Sequence, residues 1–236
     1  MHVPLRRLLP VPDGPITIDE AYAAPLGQRA DRPWVAMCMV TSIDGSTVVD
    51  GVSAGLSSDN DSSVLLRLRS VADALIVGAG TARGEGYGAP RKRGQRIGVV
   101  TRSGSIDTTS ELFQSGSGFI ITTEQTEVDD DRVDVLRAGT DKVDLCAALE
   151  QLSDFCPGAT FVQAEGGATL NAALADADIF DELNITTSPA TIGGSGPRLF
   201  HGGGDHSHRY DLAQLVVDDE SFLFSRWRRR AVQTSP

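Results

Sequence analysis

The segment 161–174 constrains the fold of this chain more than any other. A short apolar run ends in Glu165, and Gly166 and Gly167 lead directly into a helix-forming stretch that opens with Thr169. This order predicts a strand that turns sharply into a helix, because paired glycines allow the turn and leave bare backbone N–H groups beside it. A helix N-terminus at that point favours a phosphate or another anion. Considered alone, the segment fits an ordinary strand-to-helix turn equally well.

Short apolar runs alternate with helical patterns along most of the chain. Four runs without period-2 alternation predict strands that are covered on both faces: 34–40, 74–77, 97–100 and 118–122. Helices are predicted over 59–72, capped by Ser57 or Ser58, and over 145–152, capped by Asp144. The last third contains strand patterns without helices. We therefore predict an α/β fold with a mainly parallel central sheet flanked by helices and a C-terminal antiparallel hairpin. Residues 1–32 are predicted to form an extended N-terminal arm, and 33–236 one domain.

Composition narrows the class of protein. The 236 residues are 40% hydrophobic and 22% charged, which is typical of a soluble globular protein. A formal net charge of -11 argues against nucleic-acid binding, and no apolar run approaches the length of about 18 residues that a membrane span needs. The three cysteines, Cys38, Cys146 and Cys156, have no metal-ligand spacing. They indicate reduced, largely buried thiols in a cytoplasmic protein without a bound metal.

A second glycine turn follows the strand at 74–77. Gly78 and Gly80 with Thr81 resemble part of a dinucleotide-binding turn, although Arg83 stands where a Rossmann fingerprint has a small residue. About 20 residues later the segment Thr101, Arg102 and Ser103 replaces the carboxylate that would select NAD. An arginine and hydroxyls there suit a 2′-phosphate and hence NADPH. The alternative is that Arg102 is a solvated loop residue.

Asp44 follows directly after the first buried strand. Ligands of open α/β sheets bind at the carboxyl ends of such strands. A partly desolvated carboxylate at this place is expected to have a raised pKa and to donate a proton or anchor a substrate. The alternative is an Asp-Gly turn without a catalytic role.

The segment 51–55 matches G-x-S-x-G, the nucleophile elbow of serine hydrolases, with Ser53 as the nucleophile. No helix follows it immediately, and the downstream histidines His201, His206 and His208 lie in one glycine-rich loop. A serine hydrolase therefore remains an alternative of a different class. A nucleotide-binding protein without turnover is a third.

Taken together, these segments resemble the pyrimidine reductases of riboflavin biosynthesis, the reductase half of the bifunctional deaminase-reductase, whose fold is like that of dihydrofolate reductase. The resemblance lies in the order and spacing of five segments: 40–45, 56–58, 69–81, 164–167, and 181–182 with 189–194. It implies a homodimer that uses NADPH to reduce a ribosylaminopyrimidine-type or related heterocyclic imine substrate.

The resemblance also implies roles for particular residues. Asp44 would be the catalytic residue, and the substrate would contact Ser42, Asp44, Ser57 and Glu165. The cofactor would bind Thr41, Gly78, Gly80, Thr81, Thr101, Arg102, Ser103, Glu165, Gly166, Gly167, Ala168, Thr169 and Leu170.

The substrate half departs from the family pattern. Ser62 stands where the family has an arginine suited to a ribose phosphate, and Asp61 adds a carboxylate beside it. Glu85 and Tyr87 stand where the family has aspartate and proline. The substrate is therefore open between the riboflavin intermediate and another heterocycle, and dihydrofolate is the principal alternative.

Overall fold

The structure is a computed structural model that describes residues 3–230. Its strands are β1 Leu5–Leu9, β2 Gly14–Pro15, β3 Trp34–Ser42, β4 Ala74–Gly78, β5 Arg96–Val100, β6 Gly118–Thr122, β7 Val135–Arg137, β8 Phe161–Ala164, β9 Glu182–Ser188, β10 Tyr210–Asp218 and β11 Leu223–Arg229. Its α-helices are α1 Ile18–Ala21, α2 Asp59–Val71, α3 Ala79–Gly84, α4 Glu111–Gln114, α5 Leu145–Glu150, α6 Leu152–Phe155 and α7 Ala168–Asp176. Within the described part of the chain, no helix is long and apolar enough to cross a membrane.

The strands form one sheet in the order β2-β1-β10-β11-β9-β3-β8-β4-β5-β6-β7. The seven strands from β9 to β7 run parallel, whereas β11, β10, β1 and β2 are added antiparallel to one edge. Apolar clusters cover both faces of the parallel part, which explains why its strands read as continuous apolar runs. The predicted parallel sheet with a C-terminal hairpin is confirmed.

Within the N-terminal segment, predicted as an extended arm, residues 5–9 and 14–15 belong to the sheet and residues 18–21 form helix α1. β1 pairs with β10, and β2 pairs with β1. Asp181 accepts hydrogen bonds from Arg29 and Arg32, and Glu182 accepts one from the backbone N–H of Leu26 at 2.7 Å. The N-terminal segment therefore contacts the start of β9.

Helix α2 presents different residues to the core and to the cleft described below. It begins as expected, because the Ser58 hydroxyl accepts a hydrogen bond from the N–H of Asp61 at 3.1 Å. Val64 and Leu68 are buried in a cluster with β10 and β11. The face displaced by one residue carries Asp61, Leu65 and Arg69.

Some local expectations were wrong. The helix predicted over 145–152 is divided at Gln151 into α5 and α6. Of the cysteines, only Cys156 is buried, while Cys38 is half-buried and Cys146 is exposed; all three are free thiols. The hydrophobic pattern of a short segment does not show where a helix is interrupted. It also does not show which cysteine side chains the rest of the fold covers.

Candidate active site

A cleft of about 800 Å³ opens at the carboxyl ends of the parallel strands. Its lining includes Val40 near the end of β3, Gly78 at the end of β4, Val100 at the end of β5 and Glu165 directly after β8. These strands are neighbours in the sheet, so residues from distant parts of the sequence converge there. Open α/β sheets bind ligands at this edge.

The two glycine turns predicted from sequence touch each other on the floor of the cleft. The N–H of Gly78 donates a hydrogen bond to the carbonyl of Gly166 at 2.6 Å. Gly166 has a φ of 75°, which favours glycine, and a Cβ on Gly167 would lie 2.7 Å from the Thr81 hydroxyl. Both turns therefore approach more closely than larger residues would allow.

The N-terminus of α7 faces this floor. Its cap residue is Gly167, and no side chain caps its first turn. The first N–H groups of an α-helix lack partners inside the helix. Since Ala168, Thr169 and Leu170 line the cleft, these groups and the helix dipole are available to an anionic ligand there.

Most of the residues expected to bind the cofactor line the cleft, and three do not. The lining residues are Gly78, Gly80, Thr81, Thr101, Arg102, Glu165, Gly167, Ala168, Thr169 and Leu170. Thr41 is buried in β3, Ser103 is exposed beyond the rim, and Gly166 lies beneath the floor as the acceptor of the Gly78 bond. Of the expected substrate contacts, Ser57 and Glu165 line the cleft, whereas Ser42 and Asp44 do not.

Glu165 is held in place by a network of side chains. Arg69 donates from Nε and Nη2 to its two carboxylate oxygens at 2.7 and 2.6 Å. The Tyr87 hydroxyl and the Gln163 amide donate at 2.5 and 2.7 Å. The guanidinium also lies over the Tyr87 ring, 5.0 Å from its centroid. The carboxylate is 2% exposed as a side chain, so this network fixes a buried negative charge in the cleft wall.

The structure corrects the expectation for Asp44. Its carboxylate accepts a hydrogen bond from the Ser42 hydroxyl at 2.6 Å and from the N–H groups of Ile192 and Gly193 at 3.0 and 2.8 Å, and it lies 3.5 Å from Arg198. The Ser42 bond and the two backbone bonds lower the pKa of Asp44 rather than raise it. Asp44 is thus a stable carboxylate that fastens the loop 189–198, whose Pro197 reaches the cleft.

A different carboxyl group lines the cleft. Asp61 on α2 is 9% exposed, and its pKa is raised by burial, while hydrogen bonds from the Ser57 and Thr186 hydroxyls oppose the shift. The Ser57 hydroxyl lies 2.6 Å from the carboxylate. The environment that we expected around Asp44 is therefore found around Asp61.

Asp61 and Arg69 were not predicted as site residues, nor was Tyr87. A signal existed for two of them, because Asp61, Leu65 and Arg69 are spaced four residues apart and share one face of a helix. Asp61 and Arg69 on one face of a half-buried helix indicate that this face is turned to a polar cavity. For Tyr87 no local pattern existed, since its bond to Glu165 spans 78 positions of sequence.

The hydrolase alternative finds no support in the described residues. The Ser53 hydroxyl bonds to Glu85 at 2.5 Å, and Ser53 lies in a 3-10 turn rather than at a strand-to-helix elbow. His206 and His208 contact Asp176 and the carbonyl of Ala175 at the end of α7. In residues 3–230, no group of three or more potential ligands is placed to hold a metal ion.

Comparison with known proteins decides the family. A sequence model of the RibD C-terminal domain matches residues 33–224. The chain belongs to the RibD C-terminal domain family. This membership confirms the resemblance to riboflavin-pathway pyrimidine reductases and makes the chain an oxidoreductase of that kind.

Individual proteins that are similar in sequence to this chain agree with the assignment. The chain is 25% identical over 200 residues to the 2,5-diamino-6-ribosylamino-4(3H)-pyrimidinone 5′-phosphate reductase of Methanothermobacter thermautotrophicus, covering 79% of this chain and 91% of that protein. It is 26% identical over 194 residues to the riboflavin biosynthesis protein RibD of Bacillus amyloliquefaciens, covering 76% of this chain but only 52% of that protein.

Among solved structures, a pyrimidine reductase-like protein of Corynebacterium diphtheriae matches with a TM-score of 0.77 and 25% identity, covering 91% of this chain and 99% of that one. A riboflavin biosynthesis reductase of Saccharomyces cerevisiae matches with a TM-score of 0.69 and 20% identity, covering 88% and 94%. These matches confirm the predicted dihydrofolate reductase-like α/β fold.

Proposed function

We propose that this chain is an NADPH-dependent reductase of a ribosylaminopyrimidine-type or related heterocyclic imine. The observation that carries the proposal is the contact between the two glycine turns, in which the Gly78 N–H donates to the Gly166 carbonyl at 2.6 Å. It joins the ends of β4 and β8 into one surface of bare backbone beside the N-terminus of α7. Such a surface suits the pyrophosphate of a dinucleotide.

The residues present fit NADPH. Gly80 lines the cleft, and a Cβ there would meet no protein atom within 4 Å, so the space beside it is free for a ligand. Thr101 and Arg102 at the end of β5 would contact the 2′-phosphate, and residues 167–170 would hold the pyrophosphate. NADPH, when bound, supplies the hydride.

The protein's own contribution is position and charge. The Arg69–Glu165–Tyr87 network fixes a carboxylate between the glycine floor and the rest of the cleft, so a substrate that meets it is held in one orientation. Asp44 contributes through the loop 189–198, because its carboxylate fixes the backbone at Ile192 and Gly193. We propose that Asp44 is a positioning residue and not the proton donor, since its pKa is lowered.

The decisive experiment measures cofactor and substrate separately. Titration of the full chain with NADPH and NADH should give tighter binding of NADPH. NADPH oxidation is then followed with the ribosylaminopyrimidine phosphate named for the Methanothermobacter relative and, in a separate reaction, with dihydrofolate. Failure to bind NADPH would remove the proposal, and oxidation with dihydrofolate alone would assign the enzyme to that substrate. NADPH binding without oxidation of either compound, or of the ribosylaminopyrimidine that lacks the phosphate, would instead favour a nucleotide-binding protein.

We also propose that the enzyme is a cytoplasmic homodimer, as the family resemblance implies. Sedimentation equilibrium of the purified chain tests the dimer, and a single species at the mass of 25.0 kDa would contradict it.

A further inference from the structure

Apart from Glu165, the charged residues of the cleft are divided between its two ends. Arg102 and Lys142 stand at the end where the adenosine phosphate is proposed, and Val143 beside Lys142 packs with the cluster that contains Leu170. The opposite end, lined by α2 and the segment after α3, carries Asp61 and Glu85. Among the described residues that line this end, none is cationic. We call it the substrate half.

Arg69, which shares one face of α2 with Asp61, is already paired. Arg69 directs Nε and Nη2 to the two oxygens of Glu165 at 2.7 and 2.6 Å. A bidentate pair of this kind leaves little capacity for another anion. Moving the arginine toward a ligand would leave the carboxylate of Glu165 buried without its partner, which is strongly unfavourable.

Asp61 is buried in the substrate half without a cation beside it. The donors to its carboxyl are the hydroxyls of Ser57, at 2.6 Å, and Thr186. The Ser62 hydroxyl lies 3.4 Å from that of Ser57. Burial raises the pKa of Asp61, and these hydroxyls offset it only in part. A ligand that offers an N–H donor or a positive charge would complete the environment of this carboxyl group, whereas an anion would worsen it.

The N-terminus of α2 does not replace the missing cation as a binding group for phosphate. A free helix N-terminus attracts phosphate, but Asp59 and Asp61 occupy the first turn of α2 and supply the negative charge themselves. The N–H of Asp61 is taken by the Ser58 hydroxyl. The substrate half therefore lacks both kinds of phosphate-binding group, cationic side chains and an uncompensated helix end.

We infer that Asp61 determines the substrate specificity of the cleft, by accepting N–H or O–H donors from an uncharged or cationic heterocycle and excluding a phosphate monoester. This inference rests on the proposed function for the assignment of the two halves. It separates this chain from the Methanothermobacter relative, whose name specifies a 5′-phosphate substrate.

The test compares the ribosylaminopyrimidine 5′-phosphate with the same compound lacking the phosphate. Affinity is measured by calorimetry on the full chain saturated with NADP⁺, and kcat/KM is measured with NADPH. The unphosphorylated compound should be preferred by about tenfold or more, because the phosphate would lie beside the carboxylates of Asp61 and Glu85 with no cation to pair with it. Asp61→Ser should abolish most of this preference, and Asp61→Ser combined with Ser62→Arg should reverse it.

Asp59→Asn is the matched control, because it removes an exposed carboxylate from the same helical turn without altering the cleft lining. Its preference should equal that of the unaltered chain. A preference of the unaltered chain for the phosphorylated compound would overturn the inference, and so would an unchanged preference in Asp61→Ser. Binding of neither compound would also overturn it, since the unphosphorylated compound belongs to the ligand class named. Failure to bind NADPH is a separate result, which removes the proposed function itself.

Discussion

The two halves of the cleft differ in whether backbone or side-chain groups line them. The cofactor half consists mostly of backbone: two glycine turns in contact, the uncapped N-terminus of α7, and the end of β5 with Arg102. The substrate half consists of side chains that bind one another, with Glu165 held by Arg69 and Tyr87 and with Asp61 held by hydroxyls. A backbone site tolerates many neighbouring sequences, whereas a side-chain site changes its chemistry with a single substitution.

This difference matches how the chain relates to its family. The glycine segments are among those on which the resemblance rests, whereas Ser62, Glu85 and Tyr87 stand where the resemblance leads us to expect other residues. The Tyr87 hydroxyl donates a hydrogen bond to Glu165, which lies in one of the segments that carry the resemblance. Substitutions in the two halves should therefore have separable effects.

The largest effect is expected from Arg69→Gln. Glu165 would keep its Tyr87 and Gln163 donors but lose its ion-pair partner in a site where its side chain is 2% exposed. Breaking a buried pair in this way costs about 3 kcal/mol of unfolding free energy. Urea denaturation of the full chain measures it.

Arg67→Gln on the same helix is the control for Arg69→Gln. Its partner Asp19 is 84% exposed, so the ion pair should contribute less than about 1 kcal/mol. Equal losses in the two variants would show that the Arg69–Glu165 network does not hold the substrate half together. Adding Glu165→Gln to Arg69→Gln should recover part of the loss, because the unpaired charge is removed.

The next effect tests the cofactor half alone. Gly80→Val would place a branched side chain in the cleft without a clash against the protein, so NADPH affinity should fall by about 2 kcal/mol, or roughly thirtyfold. Gly84→Val is matched to it, since Gly84 lies in the same helix, has equally open space and does not line the cleft. Titration with NADPH compares the two. If both variants bind NADPH alike, the dinucleotide does not lie over α3.

The contrast between backbone and side chains also explains what could be predicted from sequence. Hydrophobic runs and glycine pairs report local backbone geometry, so the buried parallel strands, helix α2 with its Ser58 cap, and the turn at Gly166 and Gly167 were predicted correctly. The glycine turn predicted after β4 was wrong in part, because the chain beyond Gly78 forms the short helix α3. The convergence of these segments followed from a general property of parallel sheets.

The parts that were missed depend on contacts between distant positions. The pKa of Asp44 is lowered first by the hydroxyl of Ser42, two positions before it, and then by N–H groups of a loop 148 and 149 positions away, which no local pattern indicates. The burial of Asp61 and the hydrogen-bond network around Glu165 likewise form only when the chain has folded. The pairing of β1 with β10 brings together residues more than 200 positions apart, and a proline-rich segment gives little local sign of it.

A smaller effect is expected at the rim of the cofactor half. Arg102→Ala should reduce the preference for NADPH over NADH by about tenfold, because one charge-assisted hydrogen bond to the 2′-phosphate is lost. Arg83→Ala is the control, since Arg83 bonds to the carbonyl of Ser105 and does not line the cleft. The ratio of kcat/KM values for the two cofactors is the measurement. An unchanged ratio in Arg102→Ala would place the 2′-phosphate elsewhere.

The smallest effect is expected from Asp44→Asn, which tests whether the substrate half depends on the loop 189–198. NADPH affinity should stay unchanged, and KM for the substrate should rise a few-fold, because an amide has only one oxygen to accept the loop N–H groups. The folded-state pKa of Asp44 is lowered, so its carboxylate stabilises the fold above the unfolded value of about 3.9 and loses that contribution as the pH falls below it.

The difference in unfolding free energy between Asp44→Asn and the unaltered chain should therefore be constant near neutral pH and shrink below about pH 4. Asp107→Asn provides the comparison, since hydrogen bonds from Thr109 lower the pKa of Asp107 at a site outside the cleft lining. It should show the same pH trend in stability with an unchanged KM. A drop in kcat for Asp44→Asn at constant KM would restore Asp44 as a participant in proton transfer, and the two halves would then be joined by chemistry as well as by position.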